Sequence, residues 1–264
     1  MSPNRNHGQK LPFWVSQNFL TSRRTLKRLI DKTSLSANDH VIEIGPGKGH
    51  TTGLLLETCG KVTAVEIDKR LYDGLLQRFG GAANLKLYHQ NFLEWRLPAS
   101  GAYKVFANIP FCHTTAILRK LTENKNPPDE AWLTIEKGAA KRFMGKPHET
   151  LRSLMIKPFF EAEIVYHFLR EDFHPMPGVD VVLLHLKKKA QPDIAPAQWR
   201  DYERFLTNAF QDGGAGLRRM FTKRQLARAV RDAGIRILVP GEILYIQWLC
   251  LFRCYCSHTL CKRE

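Results

Sequence analysis

The sequence lacks an apolar run long enough to cross a membrane. Its most apolar late stretch, Ile243–Phe252, is far shorter than the roughly 20 residues that a transmembrane helix needs. The segment Met1–Leu11 is polar and has no signal-peptide core. No repeat or low-complexity tract is visible, and 44% hydrophobic residues are enough for a full core, which excludes disorder, collagen and a coiled-coil rod. We therefore expect a globular cytoplasmic protein.

The cysteines lack the paired C-x2-C spacing that is typical of structural zinc sites. Four of the six cysteines fall in the last fifteen residues, at Cys250, Cys254, Cys256 and Cys261. A chain of 264 residues builds a core without disulfides. The sequence therefore predicts reduced cysteines and no metal site.

Acidic residues are scarce, since 25 Asp and Glu stand against 40 Lys and Arg and leave a net charge of +15. The first 28 residues contain no acid but include Arg23, Arg24, Lys27 and Arg28. Residues 186–264 hold 15 basic and 7 acidic residues, a net charge of +8. Such a charge indicates a polyanionic partner, nucleic acid before anionic membrane, although a basic surface without function is the alternative. Two basic ends could form one groove for a phosphate backbone.

Short apolar segments alternate with helical patterns up to about residue 185, which is typical of βαβ crossovers and a mostly parallel sheet. The predicted strands are His40–Ile44, Lys61–Ile67, Asn84–His89, Tyr103–Ala107, Trp132–Glu136, Glu163–Leu169 and Val179–Leu186. Helices are predicted at Arg23–Thr33, Thr51–Cys59, Lys69–Phe79 and Thr114–Leu121. Only a turn rich in proline separates the last two strands, so we expect an antiparallel hairpin. The fold class is α/β, with a mostly parallel seven-stranded sheet and an antiparallel last strand.

A change in composition after the last strand predicts a second domain. Lys187–Lys189 leads into a linker that contains Pro192 and Pro196. Helical patterns follow at Trp199–Phe210, Thr222–Ala233 and Glu242–Phe252. We predict a larger domain at 1–189, which begins with a basic segment at 1–20, and a small α-helical domain at 190–264 that ends in a Cys-rich tail.

The segment Glu43–Gly49 ends the first predicted strand and opens a helix, so its glycines favour a tight turn close to a bound nucleoside. Its G-x-G-x-G spacing differs from the G-x-G-x-x-G of NAD and FAD sites and lacks the Lys-Ser/Thr of a P-loop. Glu66 ends the second strand, 21 residues after Gly45, where a carboxylate can accept hydrogen bonds from ribose hydroxyls. Together they favour adenosine binding over a plain tight turn.

Asn91 and Phe92 follow the third strand on the same edge of the sheet. The Asn91 amide could read the adenine edge while Phe92 covers the ring, and an Asx turn is the alternative interpretation of Asn91.

The fourth strand ends in Asn108, Ile109, Pro110 and Phe111, and its carboxyl end faces the same crevice. The Asn108 side-chain oxygen and the Ile109 carbonyl could hold the two hydrogens of an exocyclic adenine amine, favouring a nucleophilic nitrogen during methyl transfer. Phe111 could stack on the everted base. Phe173, before the last strand, could complete a sandwich around that base, and core packing is its alternative. An edge turn is the alternative for the tetrapeptide.

These motifs occur in the order found in the rRNA adenine N6-methyltransferases, and the chain resembles the Erm group of that family from about Ser16 to Phe252. The matching segments are Ser16–Leu20, Glu43–Gly49, Val65–Asp68, Gln90–Leu93, Asn108–Phe111, Glu136–Phe143, Phe173–Val179 and Gln247–Leu249. The resemblance implies a class I S-adenosylmethionine-dependent methyltransferase domain with a helical RNA-binding domain. It further implies N6-methylation of a 23S rRNA adenosine, with resistance to macrolide, lincosamide and streptogramin B antibiotics.

By this resemblance, residues from several motifs would bind the cofactor: Asn18, Leu20, Gly45, Gly47, Glu66, Ile67, Asn91, Phe92 and Asn108. Basic residues would bind RNA: Arg23, Arg24, Lys27, Arg28, Lys141, Arg142, Arg218, Arg219, Lys223 and Arg224. The family usually has Asp at the position of Asn91, and an amide oxygen can still accept, so we expect binding that is weakened rather than lost. The segment Cys254–Glu264 departs from the family pattern.

Three competing interpretations differ in substrate or class. KsgA-type dimethyltransferases act on 16S rRNA, but they typically read Asn-Leu-Pro-Tyr at the catalytic turn and have a longer second domain. An RNA-binding protein without catalysis is favoured by Asn91 and disfavoured by the intact turn Asn108–Phe111. DNA adenine methyltransferases generally carry an acidic first position and a Pro-Pro pair, both absent here.

Overall fold

The computed structural model describes residues 19–20 and 22–260. The proposed cofactor residue Asn18, Cys261 and residues 1–18 of the basic N-terminal segment lie outside the described residues. No helix in the described part of the chain is long and apolar enough to span a membrane.

Seven strands form one sheet and two short strands form a separate pair. The strands are β1 Phe19–Leu20, β2 His40–Ile44, β3 Lys61–Glu66, β4 Leu85–His89, β5 Lys104–Asn108, β6 Glu130–Glu136, β7 Phe160–His167, β8 Phe173–His174 and β9 Val181–Lys188. The sheet order is β4-β3-β2-β5-β6-β9-β7. The strands from β4 to β6 pair in parallel, whereas β9 is antiparallel to both β6 and β7. The predicted fold class, including the antiparallel last strand, is confirmed.

The helices cover both faces of the sheet and build the carboxyl-terminal part. They are α1 Arg23–Ile30, α2 His50–Thr58, α3 Lys69–Phe79, α4 Thr114–Thr122, α5 Lys137–Met144, α6 Leu151–Ile156, α7 Trp199–Ala209, α8 Ala215–Met220, α9 Lys223–Asp232 and α10 Tyr245–Leu260. Side-chain N-caps explain where several of these helices begin. Ser22 accepts a hydrogen bond from the Thr25 N–H, and Asp68 accepts from two N–H groups of α3.

Helices α5, α6 and α8 are absent from the sequence prediction. Helix α5 starts directly after β6, so no polar turn marks its beginning. Helix α10 continues to Leu260, eight residues beyond the predicted end at Phe252, because the Cys-rich stretch contains no glycine or proline to stop it.

Two hydrophobic cores meet near residues 151–159. One lies between the sheet and its helices and includes Ile156, and the other lies among α7–α10 and includes Leu154. Phe159 packs against both cores. Helix α6 therefore belongs to the larger domain by chain position, but it supplies a side chain to the core of the helical part.

Strand β1 pairs with β8, with Leu20 opposite Phe173. Strand β8 lies in the connection between β7 and β9, residues 168–180, which we call the rim loop. The Thr25 hydroxyl on α1 donates to the Asp172 carboxylate at 3.0 Å. The basic helix α1 is thus attached to the rim loop.

Candidate active site

A cavity of about 290 Å³ lies at the carboxyl ends of the parallel strands. Its walls are Ile44, Gly45, Gly47, Val65, Glu66, Ile67, Gln90, Asn91, Phe92, Leu93, Asn108, Ile109, Pro110, Phe111, His113 and Ile117. Parallel strands with crossover helices leave such a crevice where neighbouring strands connect in opposite directions, here between β2 and β5. The motifs predicted for the cofactor and for the target base therefore share one cavity.

The glycine loop takes a backbone shape that other residues rarely adopt. Gly45, Gly47 and Gly49 have φ values of 64°, 57° and 77°, in the left-handed region. At Gly49 a Cβ atom would lie 2.7 Å from atoms of both Leu75 and Phe79, so glycine lets α3 pack closely there. At Gly45 no heavy atom lies within 4 Å of that position. The backbone at Gly45 is therefore open where it lines the cavity.

Glu66 is buried at the base of the cavity and is held by backbone groups. Its carboxylate accepts hydrogen bonds from the N–H groups of Gly47 at 3.0 Å, Ile67 at 2.9 Å and Asp68 at 2.9 Å. Burial raises the pKa of Glu66, while these hydrogen bonds oppose that shift. A carboxylate has about four acceptor positions, so one remains on Oε2 for a ribose hydroxyl.

Glu43, a second buried carboxyl group beneath the glycine loop, has no role in the sequence prediction. Burial, together with the negative charge of Glu66, raises the pKa of Glu43 to about 8, and the Thr52 hydroxyl donates to it at 2.7 Å. Glu43 is therefore mostly protonated at neutral pH, which keeps a second negative charge away from Glu66.

Asn91 and Phe92 form the wall that follows β4. The Asn91 side-chain oxygen accepts from the Leu93 N–H at 3.0 Å, which is the Asx turn of the alternative interpretation. Its amide nitrogen donates to Glu94 at 3.2 Å. The Phe92 ring is buried and stacks on Trp95 at a centroid distance of 6.2 Å. Asn91 thus shapes the turn and also lines the cavity.

The predicted catalytic turn leaves the sheet at the end of β5. Asn108 is the last residue of β5, and the Ile109 N–H donates to the Thr134 carbonyl at 3.2 Å. Pro110 then leads into a 3-10 turn at Phe111–His113. The Thr134 hydroxyl, fully buried in register beside Asn108, has no hydrogen-bond partner among the described residues.

Two predicted site residues do not line the cavity. Phe173 is 2% exposed, and its ring packs edge-on against Phe168 at 5.1 Å. Leu20 is buried in the same cluster, and Phe111 packs against that cluster. The structure therefore places Phe173 in the apolar cluster that Phe111 packs against, which agrees with the alternative of core packing.

The basic residues predicted to bind RNA lie on exposed helical surfaces. Arg23, Arg24, Lys27 and Arg28 on α1 line a shallow surface depression. Lys141 and Arg142 are exposed on α5, Arg218 and Arg219 on α8, and Lys223 and Arg224 on α9. Arg23 is paired with Glu57, and Arg219 is paired with Asp212. Because neutralising partners weaken a phosphate site, Arg24, Lys27 and Arg28 are the stronger candidates on α1.

Six cavity residues, Ile44, Val65, Gln90, Leu93, His113 and Ile117, are absent from the predicted site. Gln90 and Leu93 flank the predicted pair Asn91 and Phe92. His113 and Ile117 are four residues apart, which is the spacing of one helix face. That spacing, directly after the predicted turn, is a signal in the sequence that identifies this wall.

Comparison with known proteins gives a consistent match. The family described as "Ribosomal RNA adenine dimethylase" matches residues 9–243. An rRNA adenine N-6-methyltransferase of Lysinibacillus sphaericus is 31% identical, over 91% of this chain and 95% of the relative. The ribosomal RNA small subunit methyltransferase A of Fusobacterium nucleatum is 35% identical, over 65% of this chain and 67% of its own length. The crystal structure of the 23S rRNA methyltransferase ErmE superposes with a TM-score of 0.79 at 28% identity, covering 90% of this chain and 99% of that chain.

Proposed function

The chain belongs to the ribosomal RNA adenine dimethylase family and methylates adenine in ribosomal RNA from S-adenosylmethionine, and we propose that the target adenosine lies in 23S rRNA. The modified atom is the exocyclic N6. The methylated ribosome then resists macrolide, lincosamide and streptogramin B antibiotics.

The extent of the structural likeness to ErmE carries the choice of 23S rRNA. That likeness covers 90% of this chain, and so it includes most of the helical part that follows the sheet. The match to the small subunit methyltransferase A of Fusobacterium nucleatum covers only 65% of this chain. The sequence likeness to ErmE, 28% identity over this extent, favours a 23S substrate over the 16S alternative.

We assign the cavity to the methyl donor. Gly45 and Gly47 let the backbone approach it closely, Glu66 and Ile67 hold the ribose, and Asn91 and Phe92 bind the adenine. The open space over Gly45 and the remaining acceptor position on Glu66 support this assignment. Bound S-adenosylmethionine supplies a methyl group on a sulfonium sulfur.

The catalytic turn acts on the acceptor nitrogen. The Asn108 side-chain oxygen and the Ile109 carbonyl accept hydrogen bonds from the two N6 hydrogens, so the nitrogen lone pair turns towards the methyl group. Pro110 keeps the turn rigid and Phe111 stacks on the everted base. Because Phe173 is buried, its part is to pack in the apolar cluster that Phe111 packs against. Asn108, at the end of β5, lies where the donor and the base meet.

The substrate RNA lies across the basic residues of α1, α5, α8 and α9. These helices carry exposed Lys and Arg, which neutralise backbone phosphates and hold the RNA while a base leaves its stack. The enzyme acts as a monomer in the cytoplasm and modifies the RNA before the ribosome is fully assembled.

Mapping the modified nucleotide tests the proposed substrate. The protein is expressed in a macrolide-sensitive bacterium, and 23S and 16S rRNA fragments are analysed by mass spectrometry together with erythromycin susceptibility. We expect new N6-methyladenosine or N6,N6-dimethyladenosine in 23S rRNA and a raised inhibitory concentration.

An Asn108→Ala variant is the control, because it removes an acceptor for the N6 hydrogens and leaves the basic surface intact. It should bind rRNA as the wild type does and lose most of the turnover. Modification confined to 16S rRNA would instead support the KsgA-type alternative. RNA binding by the wild type without any methyl transfer would support an RNA-binding protein that lacks catalysis.

A further inference from the structure

Lys120 on α4 contacts the cavity wall from outside the cavity. Its ammonium group donates to the Leu93 carbonyl at 2.8 Å. The same ammonium lies 5.4 Å from the centroid of the Phe92 ring. One cation therefore holds two neighbouring residues of the segment 90–93, which lines the cavity after β4.

Other contacts also restrain this segment: the Gln90 N–H donates to the Glu66 carbonyl at 2.9 Å, and Phe92 is buried in the core that includes Ile117 of α4. The Asn91 carbonyl accepts from the N–H groups of Glu94 and Trp95, and the Asn91 side chain accepts from Leu93. The hydrogen bonds of Asn91 are internal to the turn, so they fix its shape but not its position relative to α4. Lys120 adds a polar contact between the turn and α4 beside the apolar packing of Phe92.

The position of Lys120 on its helix links the two halves of the site. Helix α4 begins at Thr114, just after the turn Asn108–Phe111, and Ile117 on α4 lines the cavity. Lys120 lies one turn after Ile117, on the same face of the helix. The helix that follows the target-binding turn thus also holds the wall proposed to bind the cofactor adenine.

The surroundings of Lys120 are unusual for a structural lysine. Its side chain is half-buried, and burial lowers its pKa while the nearby Glu94 carboxylate opposes that shift. Burying a cation beside a backbone carbonyl and an aromatic ring has a desolvation cost that an exposed lysine avoids. This arrangement gives the segment 90–93 a defined position.

We propose that Lys120 is a positioning residue that sets the adenine specificity of the methyl-donor site, by holding Phe92 and the Asn91–Leu93 turn against the base. This inference rests on the assignment of the cavity under Proposed function. Without Lys120 the Asn91–Leu93 turn can move, so its contacts to the adenine edge are lost. The turn Asn108–Phe111 keeps its own hydrogen bonds.

Ligand binding and kinetics of Lys120→Met test this role. The dissociation constants of S-adenosylhomocysteine and of S-inosylhomocysteine, which carries hypoxanthine in place of adenine, are measured by calorimetry. Losing a charge-assisted hydrogen bond should weaken S-adenosylhomocysteine binding about tenfold. S-inosylhomocysteine should be affected less, so the discrimination between the two ligands falls. KM for S-adenosylmethionine should rise, with kcat at saturation within about twofold of the wild type.

Two further variants control for general damage. Lys125→Met makes the same change at an exposed lysine just after α4 and should bind both ligands as the wild type does. Lys120→Arg keeps the charge and the donors and should recover part of the discrimination. Equal weakening of both ligands in Lys120→Met, or none, would overturn the proposal.

Glu66→Ala separates this proposal from the assignment on which it rests. If Glu66→Ala loses S-adenosylhomocysteine and Lys120→Met does not, only the role of Lys120 is wrong. If Glu66→Ala binds the ligand normally, the assignment of the cavity is wrong, and the role of Lys120 is wrong with it.

Discussion

Asn91 shows how far the role of a single residue can be predicted from its type and its place after a strand. Its place after a strand predicts a position at the cofactor edge, and the structure puts it on the cavity wall. Its hydrogen bond from Leu93 could be foreseen only as an alternative. The two interpretations are compatible, because one side-chain oxygen has two lone pairs. A polar residue after a strand can shape its own turn and still face a ligand.

Phe173 shows the opposite outcome. Its motif predicts a stacking partner for the base, yet its side chain is covered by Phe168 and neighbouring apolar residues. Burial depends on residues that are distant in sequence, and no local pattern around Phe173 reports it. The sequence therefore identifies Phe111 and Phe173 as candidates, but it does not show which of the two rings reaches the cavity.

Glu43 should make stability depend on pH. Its pKa is about 8 in the folded protein and near 4.5 when unfolded, so the folded state holds the proton more tightly. This contribution to stability is fully present below about pH 4.5 and is lost as the pH rises through 8. Between pH 6 and pH 8 the loss is about 2 kcal/mol. Glu43→Gln, which cannot ionise, should show a smaller fall in melting temperature over this interval.

The control for that measurement is Glu161→Gln, because Glu161 is exposed on β7. Thermal unfolding is followed by circular dichroism at each pH for both variants and the wild type. If the melting temperature of Glu43→Gln depends on pH as strongly as that of the wild type, Glu43 is not the source of the effect.

At the scale of elements, the sheet and its main helices follow from the sequence. Strand β2 and helix α3 have the predicted bounds because apolar alternation, the glycine loop and the Asp68 cap mark them locally. Helices α5, α6 and α8 are short, and their ends depend on packing against other elements. The site is predictable in the same measure: motifs mark the residues at strand ends, whereas only the spacing of His113 and Ile117 indicates the α4 face with Ile117 and Lys120.

Helix α1 is the element on which RNA affinity should depend most strongly. Lys27→Glu combined with Arg28→Glu should weaken binding of a 23S rRNA fragment at least tenfold. The salt dependence should flatten, because each lost phosphate contact removes roughly 0.7 to 0.9 from its logarithmic slope. Filter binding over a series of salt concentrations measures both effects.

Lys61→Glu combined with Lys86→Glu makes the same change in net charge on β3 and β4, away from α1. This variant should keep the wild-type salt slope. If the two double variants lose affinity equally, the RNA is attracted by net charge alone and α1 is not its binding surface.

At the scale of the whole molecule, side chains pack across the boundary predicted at residue 189. Leu154 of α6 is fully buried among residues of the helical part, and the Tyr202 hydroxyl donates to its carbonyl at 3.2 Å. A fragment ending at residue 189 would expose Leu154 and one side of Phe159. The two parts are therefore expected to stabilise each other.

The fragment 1–189 should melt at a lower temperature than the full chain and should bind a dye that recognises exposed apolar surface. Differential scanning calorimetry and dye fluorescence measure these properties on both proteins. Equal melting temperatures without dye binding would show that the larger domain is complete by itself and that the shared helix contributes little.

The pairing of β1 with β8 places Leu20, near the start of the described chain, beside Phe173, more than 150 positions later. A label attached at Phe19 is consequently tethered at the rim loop, next to α1. A fluorophore at that junction would sense the arrival of RNA. A bulky affinity tag in the same place would interfere with RNA binding.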